Sequence, residues 1–472
     1  GGKAARALEP GRVVRLVGWP DQYRGRPQLE GIQRMELLGR EETRAHPLRL
    51  PPKDPERLEG VLVRTQRELT VTANSDLARY GSLELAAGGR AFRERNFVSG
   101  EGPANPARRG RRIVLDDGRY SRGPEPVPYL SDAGTRRVGS RVEKGLTGIF
   151  SRAFDRPRIH PTQSPEFRRA NPRPGPLPEP TEDAVRVAAL NTDSYFLTLG
   201  ERGADSEPEL RRQRVKLLAA AKQLSADVLV LLELENRDGV AQDFRRRLVR
   251  STGHPWRLVR PRGSPSGVIR IVMVYRSDRI RQVSNAVRDS RGVHERPPLV
   301  ASFRSRQGGE PFAVAGAHFK SKSDCPDGAD ADANCWNRRR VRQARALAGF
   351  LREYRREQGI ASMLIAGDLN AYGAEEPIRV LHGAGWRDLI ASRLPWRGRY
   401  TYVYSGESGY LDHLLARPEL ASRVDGVQTH AINADEPPFL QYDRGGPGGG
   451  HFTEGPFRSS DHDPVAVDIA PR

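Results

Sequence analysis

Residues 363–370 read Met363-Leu364-Ile365-Ala366-Gly367-Asp368-Leu369-Asn370, four apolar residues that run straight into Gly-Asp-x-Asn. So short a run reads as a buried strand whose end carries a carboxylate and an amide. Upstream, Val341, Ala344, Leu347, Ala348 and Leu351 recur at the spacing of one helical face. A helix that hands over to a strand is the unit of an α/β fold, and the pattern repeats outward in both directions. Strand-like runs occupy 185–190, 228–232, 269–274, 312–317, 411–416 and 465–469, while Leu217, Leu218, Ala221 and Leu224 share a second helical face. The stretch 183–472 is therefore expected to form one α/β sandwich with a large core.

Polar residues stand where these runs end. Asn191 follows the first run, Glu233 the second and His318 the fourth; Asp368 and Asn370 follow 363–366, and Asp461-His462 precede the last. Side chains at strand ends collect on one rim of a sheet, where the backbone fixes their geometry. Hard oxygen ligands such as Glu233 and Asp461 suit Mg2+, Mn2+ or Ca2+. His462 can act as a general base if a carboxylate orients it, and Asp412 is the candidate. Asp193, close to Asn191, adds a further acid. Singly these features are ordinary: Asp-His and Gly-Asp-x-Asn are common in turns, and a lone histidine after a strand is usually structural. Their ordered recurrence points to metal-assisted phosphodiester hydrolysis.

The charge balance agrees. The chain has 472 residues and a net charge of +19, supplied almost entirely by Arg. Guanidinium groups pair with phosphate and stack on bases, so a polyanion such as nucleic acid is the expected partner. Base composition of the genome accounts for the choice of Arg over Lys but not for the surplus. The mean hydropathy of −0.65 and the lack of a bilayer-length apolar run predict a soluble protein without membrane insertion. At this length two or three domains are expected. Cys325 and Cys335 are the only cysteines; one local disulfide, which favours an oxidising compartment, stands against two free thiols. The chain opens Gly1-Gly2 rather than Met, as a processed or trimmed fragment would.

Ahead of the sandwich, residues 12–39 and 58–160 read as short strands broken by Gly, Asn and Pro, which suggests small β-barrels. The expected units are a partial barrel over 1–57, a barrel over 58–160, a linker over 161–182 and the sandwich over 183–472. Pro161, Pro165, Pro172, Pro174, Pro176, Pro178 and Pro180 make the linker an extended, semi-rigid spacer. The loop 445–450 should be mobile. Arg108, Arg109, Arg111 and Arg112 either track a nucleic-acid backbone or form a solvated charge run. Asp324, Asp327, Asp330 and Asp332 either hold a structural Ca2+ or form a solvated acidic loop. They are not an EF-hand, because counting from Asp330 puts Val341 at the last ligand position.

The order Asn191, Glu233, His318, Asp368-x-Asn370, Asp412, Asp461-His462 resembles the endonuclease/exonuclease/phosphatase superfamily, which includes pancreatic deoxyribonuclease I. It resembles more closely the secreted bacterial endonucleases of the ExeM/NucH type. The motifs that carry this likeness include Glu233-Leu234-Glu235-Asn236, Arg296-Pro297-Pro298-Leu299, His318-Phe319-Lys320-Ser321-Lys322, Ile432-Asn433-Ala434-Asp435-Glu436-Pro437 and Ser459-Ser460-Asp461-His462-Asp463-Pro464. The N-terminal half is similar to the OB-fold-like region of those proteins, at Arg79-Tyr80-Gly81 and at Ile113-Val114-Leu115-Asp116-Asp117-Gly118.

The resemblance implies a four-layer α/β-sandwich preceded by an OB-fold-like barrel. It implies a secreted, monomeric, Mg2+- or Mn2+-dependent endonuclease of little sequence preference that acts on DNA, with RNA left open; periplasm and cell surface also stay open as locations. Glu233, Asn191 and Asp461 would hold the metal. His462, oriented by Asp412, would activate water. Asp368 and Asn370 would position water and phosphate, and His318 would stabilise the phosphate or protonate the leaving oxygen. Arg296 and Lys320 would contact phosphate oxygens. The family's pattern places an acid before the third run as the partner of His318, whereas Ser266-Gly267-Val268 stands here. Two alternatives remain. One is a phosphodiesterase of the same superfamily acting on phospholipid or inositol phosphate; a membrane-active form would carry an exposed aromatic hairpin, and none is evident in the sequence. The other is a nucleic-acid- or matrix-binding protein with a degenerate catalytic domain.

Overall fold

Alternating residues of two sheets meet in the largest apolar core. In the first sheet the strands run in the order Trp256–Leu258, Ile269–Arg276, Val228–Glu235, Val185–Tyr195, Val465–Ile469, Val424–Thr429. In the second the order is Pro261–Arg262, Ala286–Arg288, Leu299–Ser305, Gly308–Gly316, Met363–Asp368, Asp412–Ala416, Arg387–Asp388. Side chains two apart point the same way: Val185, Val187 and Ala189 join Val228, Val230 and Leu232 inside, facing Val314, Leu364, Ala366 and Leu414. The alternate residues face outward. Leu190, Leu229 and Leu231 pack on Leu217, Phe244 and Leu248 of helices Glu207–Gln223 and Val240–Thr252. Ala313, Ala315 and Ile365 pack on Leu347, Leu351, Ile378 and Leu381 of helices Asn337–Gln358 and Glu376–Gly383. Both faces of both sheets are thus covered, giving four layers. Each fully buried aliphatic side chain contributes about 1.5–3 kcal/mol. The expected sandwich is the observed one in this computed structural model, which describes residues 11–23, 26–98, 111–119, 121–168, 170–262, 267–325, 335–443 and 450–471.

The strand-rich N-terminal region curls on itself. Its order is Phe167–Arg168, Arg141–Val142, Leu69–Ala73, Ser82–Ala87, Arg112–Asp116, Arg156–Pro161, Thr147–Ala153, Leu62–Thr65, His46–Leu48. Leu62–Thr65 and Leu69–Ala73 are consecutive pieces of one stretch, so the sheet leaves from one and returns to the other. Val63, Leu69, Leu83, Leu85, Ile113, Leu115, Phe150 and Ile159 fill the interior. The expected partial barrel over 1–57 is corrected: among the described residues Arg12–Tyr23 and Arg26–Arg40 pair only with each other, and His46–Leu48 belongs to the following unit. The ribbon has no core of its own, since Trp19 is 67 % and Ile32 54 % exposed.

The proline-rich stretch is a strap rather than a spacer. Phe167–Arg168 pairs with Arg141–Val142, and Leu177 N–H donates to Gln223 O at 2.9 Å. Arg173 donates to both carboxylate oxygens of Glu436, at 2.9 and 2.8 Å. Prolines remove backbone donors, and the arginine and asparagine side chains between them supply the missing bonds. Arg112 also departs from expectation. It is buried between Glu84 and Glu407, at 2.9 Å from each, and cannot track a polyanion. Arg108 and Arg109, residues 445–449 of the loop 445–450, and Asp327, Asp330 and Asp332 lie outside the described residues. Cys325 and Cys335 form a disulfide, with Cα atoms 5.0 Å apart. Among the described residues no helix is long and apolar enough to cross a membrane.

Candidate active site

The strand ends place their polar residues at one rim, and the ladders break there to do it. The register between Val185–Tyr195 and Val228–Glu235 shifts after Asn191, and that between Val228–Glu235 and Ile269–Arg276 shifts between Leu231 and Leu234. Such bulges re-aim side chains. Asp193, Ser194, Glu233 and Asn370 all take left-handed backbone, with φ of 49°, 61°, 63° and 47°. Strain of this kind, held by the surrounding fold, gathers at functional sites. Gly367 (φ 146°) serves the same rim: a Cβ there would meet Ala317 O at 2.1 Å, so only glycine lets the two strands approach next to Asp368.

His462 is the centre. Its Nδ1 lies 2.8 Å from Asp412 Oδ2, which also accepts from Thr401 Oγ1 at 2.7 Å. Its Nε2 faces Asp368 Oδ2 at 3.9 Å. With Nδ1–H committed to Asp412, Nε2 keeps the lone pair, as a base requires. Ligand atoms of Asp368, Asp412 and His462 lie within 4.8 Å of one another. Asp412 is nonetheless spent on His462 and Thr401, so these three form a proton relay rather than a cation cage. Burial works to lower the pKa of His462, but Asp412, Asp461 and Asp368 outweigh it and raise it well above the ordinary histidine value. The acid limb of a pH–kcat/KM profile is therefore expected above pH 6.5. Asp412→Asn removes the largest raising charge, so the limb should move to lower pH while the plateau falls. A limb that stays in place would show that Asp412 does not act on His462.

The carboxylates beside it crowd together. Asn191 Nδ2 donates to Glu233 Oε1 at 3.3 Å, and Ser194 Oγ donates to Oε2 at 3.2 Å. Burial, then Asp461 and Glu233, push Asp193 up to about 8. Burial also pushes Asp368 up to about 7. Several hard oxygen donors that raise one another's pKa are what a divalent cation relieves, so the donor set fits Mg2+ or Mn2+. Asn370 fixes Asp368, its N–H donating to Oδ1 at 2.8 Å and its Nδ2 to Oδ2 at 3.1 Å.

The remaining residues named from the sequence divide. His318 Nε2 lies 3.6 Å from Asp368 and 3.8 Å from Glu233, while its buried Nδ1 has no hydrogen-bond partner among the described residues. Burial and the neighbouring Arg296 hold its pKa well below 6.5. Gly267 supplies no acid there; its left-handed backbone (φ 81°) packs against Glu295 O. Arg296 reaches the site but acts as a strut, its guanidinium donating to His318 O and Phe319 O. The Lys320 Nζ bonds Ser321 Oγ at 3.3 Å and lies 5.1 Å from the Trp336 ring.

Sequence reasoning missed several contributors. Tyr402 stacks on His462 with ring centroids 4.6 Å apart. Arg202 Nε donates to Ser194 Oγ at 3.0 Å, and Arg458 Nε to Gln441 Oε1 at 3.4 Å, close to Asp193. Asn433 clamps the catalytic turn from behind. Its Nδ2 donates to His462 O at 2.7 Å, and its Oδ1 accepts from Ser459 N–H at 2.8 Å. The next residues are sunk into the N-terminal region. Asp435 takes Arg90 at 2.7 Å and Asn171 at 2.7 Å; Glu436 takes Arg137 at 2.5 Å and Thr135 at 2.7 Å. The barrel and strap therefore hold the loop that holds His462.

The sequence profile described as the Endonuclease/Exonuclease/phosphatase family matches residues 190–462. No curated protein matches the chain, so the nearness to the ExeM/NucH type rests on the quoted motifs alone. Similar solved structures include the human Nocturnin catalytic domain with bound sulfate, at 16 % identity over 62 % of this chain and 96 % of that one, TM-score 0.40. Others are a Bacteroides thetaiotaomicron mannosyl-6-phosphatase, at 13 % over 61 % and 99 %, TM-score 0.39, and D. rerio TDP2 with a single-strand DNA product, at 14 % over 61 % and 99 %, TM-score 0.40. At this distance none of them bears on the substrate. A profile that fits more than half of the chain, from the strand carrying Asn191 to His462 itself, makes this protein a member of the endonuclease/exonuclease/phosphatase family, a superfamily of phosphodiesterases and phosphatases.

Proposed function

We propose that the protein is a secreted, divalent-metal-dependent nuclease that hydrolyses phosphodiester bonds of DNA, and of RNA where it meets it, as a monomer. The Asp412–His462–Asp368 relay, joined to Glu233 through His318, carries this reading. Net charge of +19 supports a polyanionic substrate, and the Cys325–Cys335 disulfide supports an oxidising compartment. Glu233, Asn191 and Asp461 would hold the cation, with Asp193 next to them. When bound, it offsets the charge that builds on the phosphate oxygens. The chain's own residues do the rest. His462 Nε2 takes a proton from the attacking water, Asp412 keeps the imidazole in the right tautomer, and Asn370 holds Asp368 toward it. His318, kept neutral, can hydrogen-bond a phosphate or leaving oxygen but is a poor proton donor.

Plasmid DNA with Mg2+ or Mn2+ should be nicked, and EDTA should abolish the nicking, with excess metal restoring it. An intact plasmid across both metals rejects the nuclease reading. Faster release of phosphocholine from sphingomyelin, or of phosphate from inositol phosphates, would transfer the site to those substrates.

A further inference from the structure

The barrel and the catalytic domain enclose a cleft of about 990 Å3. One wall is the barrel turn between Thr147–Ala153 and Arg156–Pro161; the other is the hairpin Tyr402–Tyr404/Glu407–Gly409. The walls are tied together. Phe92 bridges Ser408, and Arg112 donates to Ser405 O at 2.7 Å. Arg458, which interacts with Asp193 at the catalytic rim, also lines the cleft and links the two.

Two features of the walls are unusual. Phe154 is 76 % and Tyr404 57 % exposed, and both line this one cleft. Phe154-Asp155 form a two-residue turn with φ of 52° and 55°. That turn favours Asn-Gly, so a bulky aromatic there breaks the local rule, as residues kept for function do. Tyr404 stands on the same strand face as Tyr402, about 7 Å farther out from the imidazole it covers. Arg93 of the barrel lies 5.3 Å from the Tyr404 ring. The second feature is charge. Five arginines line the cleft against five carboxylates, and the arginines are engaged: Arg112 with Glu84 and Glu407, Arg156 with Glu84, Arg93 with Glu407. These walls are close to neutral, although the chain is strongly basic. They suit stacking better than they suit a phosphate backbone.

We propose that this cleft seats an unpaired nucleic-acid strand, with Phe154 and Tyr404 as stacking platforms for its bases on the way to His462. The proposal rests on the nuclease reading and deepens it, since it makes single-stranded segments the favoured substrate. Stacked bases lie in flat contact with aromatic rings whatever their sequence. A base pair hides those faces inside a duplex, which the two facing walls would also exclude.

The test is fluorescence anisotropy of the full chain with labelled oligo-dT and oligo-rU of about 12 nucleotides, a length that spans one small barrel and the site. EDTA is present, so nothing is cut. At least one of the two oligonucleotides should bind, and Phe154→Ala and Tyr404→Ala should each weaken that binding about tenfold. Tyr404→Phe should restore it, and a blunt duplex of the same length should compete poorly. The salt dependence should be shallow, because few phosphates are neutralised. Binding to only one oligonucleotide narrows the class to that polymer. Alanine variants that bind like the unaltered protein while keeping its melting temperature overturn the proposal, as do equal duplex binding or a steep salt slope. Hydrolysis of bis(4-nitrophenyl) phosphate by the unaltered protein separates the two ideas. Hydrolysis with unaffected binding in the variants sinks only the cleft; weakened binding without hydrolysis sinks only the enzyme.

Discussion

His462→Asn is expected to lower kcat/KM toward a phosphodiester about a hundred- to ten-thousandfold, the range for losing a positioned acid–base group. Asparagine preserves the bond to Asp412, which now stands 2.8 Å from Nδ1, and it fits under Tyr402. What it lacks is a basic nitrogen at the Nε2 position, 3.9 Å from Asp368. The loss should therefore fall on kcat, with KM little changed, because nothing that holds the substrate is removed. Steady-state kinetics on a chromogenic diester would measure both. A loss under tenfold in a folded variant would mean that another group takes the proton.

Asp435→Ala should cost about 3–5 kcal/mol of stability, the penalty for leaving a buried charge without its partner. Asp435 is fully buried, yet it lies in a loop of the catalytic domain while its charged partner Arg90 and the amide of Asn171 come from the barrel and the strap. Arg90 and Asn171 each bond its carboxylate at 2.7 Å, and Tyr400 does so at 2.8 Å. Burial and Arg90 pull its pKa in opposite directions, and the cations prevail, holding it below the ordinary carboxylate value. Removing it strands the Arg90 guanidinium inside the interface. At 472 residues the melting temperature should fall by roughly 3–5 °C. Activity should fall as well at temperatures where the variant is folded, because Asn433, two residues before Asp435, is the clamp on His462 O. A melting temperature within a degree or two of the unaltered protein would show that the barrel merely leans on the catalytic domain.

The catalytic domain was largely legible because its information is local. Short apolar runs such as 185–190 and 363–366 specify buried strands, and a polar residue at the end of such a run falls on the rim by geometry alone. Hence Asn191, Glu233, His318, Asp368, Asn370, Asp412 and His462 could be named and are found together. Other assignments failed where a side chain's partner is remote. Arg112 reads as part of a basic run but is spent on Glu84 and on Glu407, which is 295 positions away. The proline strap reads as a spacer because sequence shows what proline forbids, not what Arg173 and Asn171 supply.

From its sequence alone this protein has its sandwich, its row of rim residues and its strong positive charge, since each follows from spacing within a few residues or from summed charge. Tertiary structure alone decides that the barrel is part of the active-site scaffold. Asn74 bonds Asp435 O across 361 positions of chain, and Tyr402 comes to lie on His462. Such pairings depend on how whole domains dock, and a side chain carries no local mark of the partner that docking will bring.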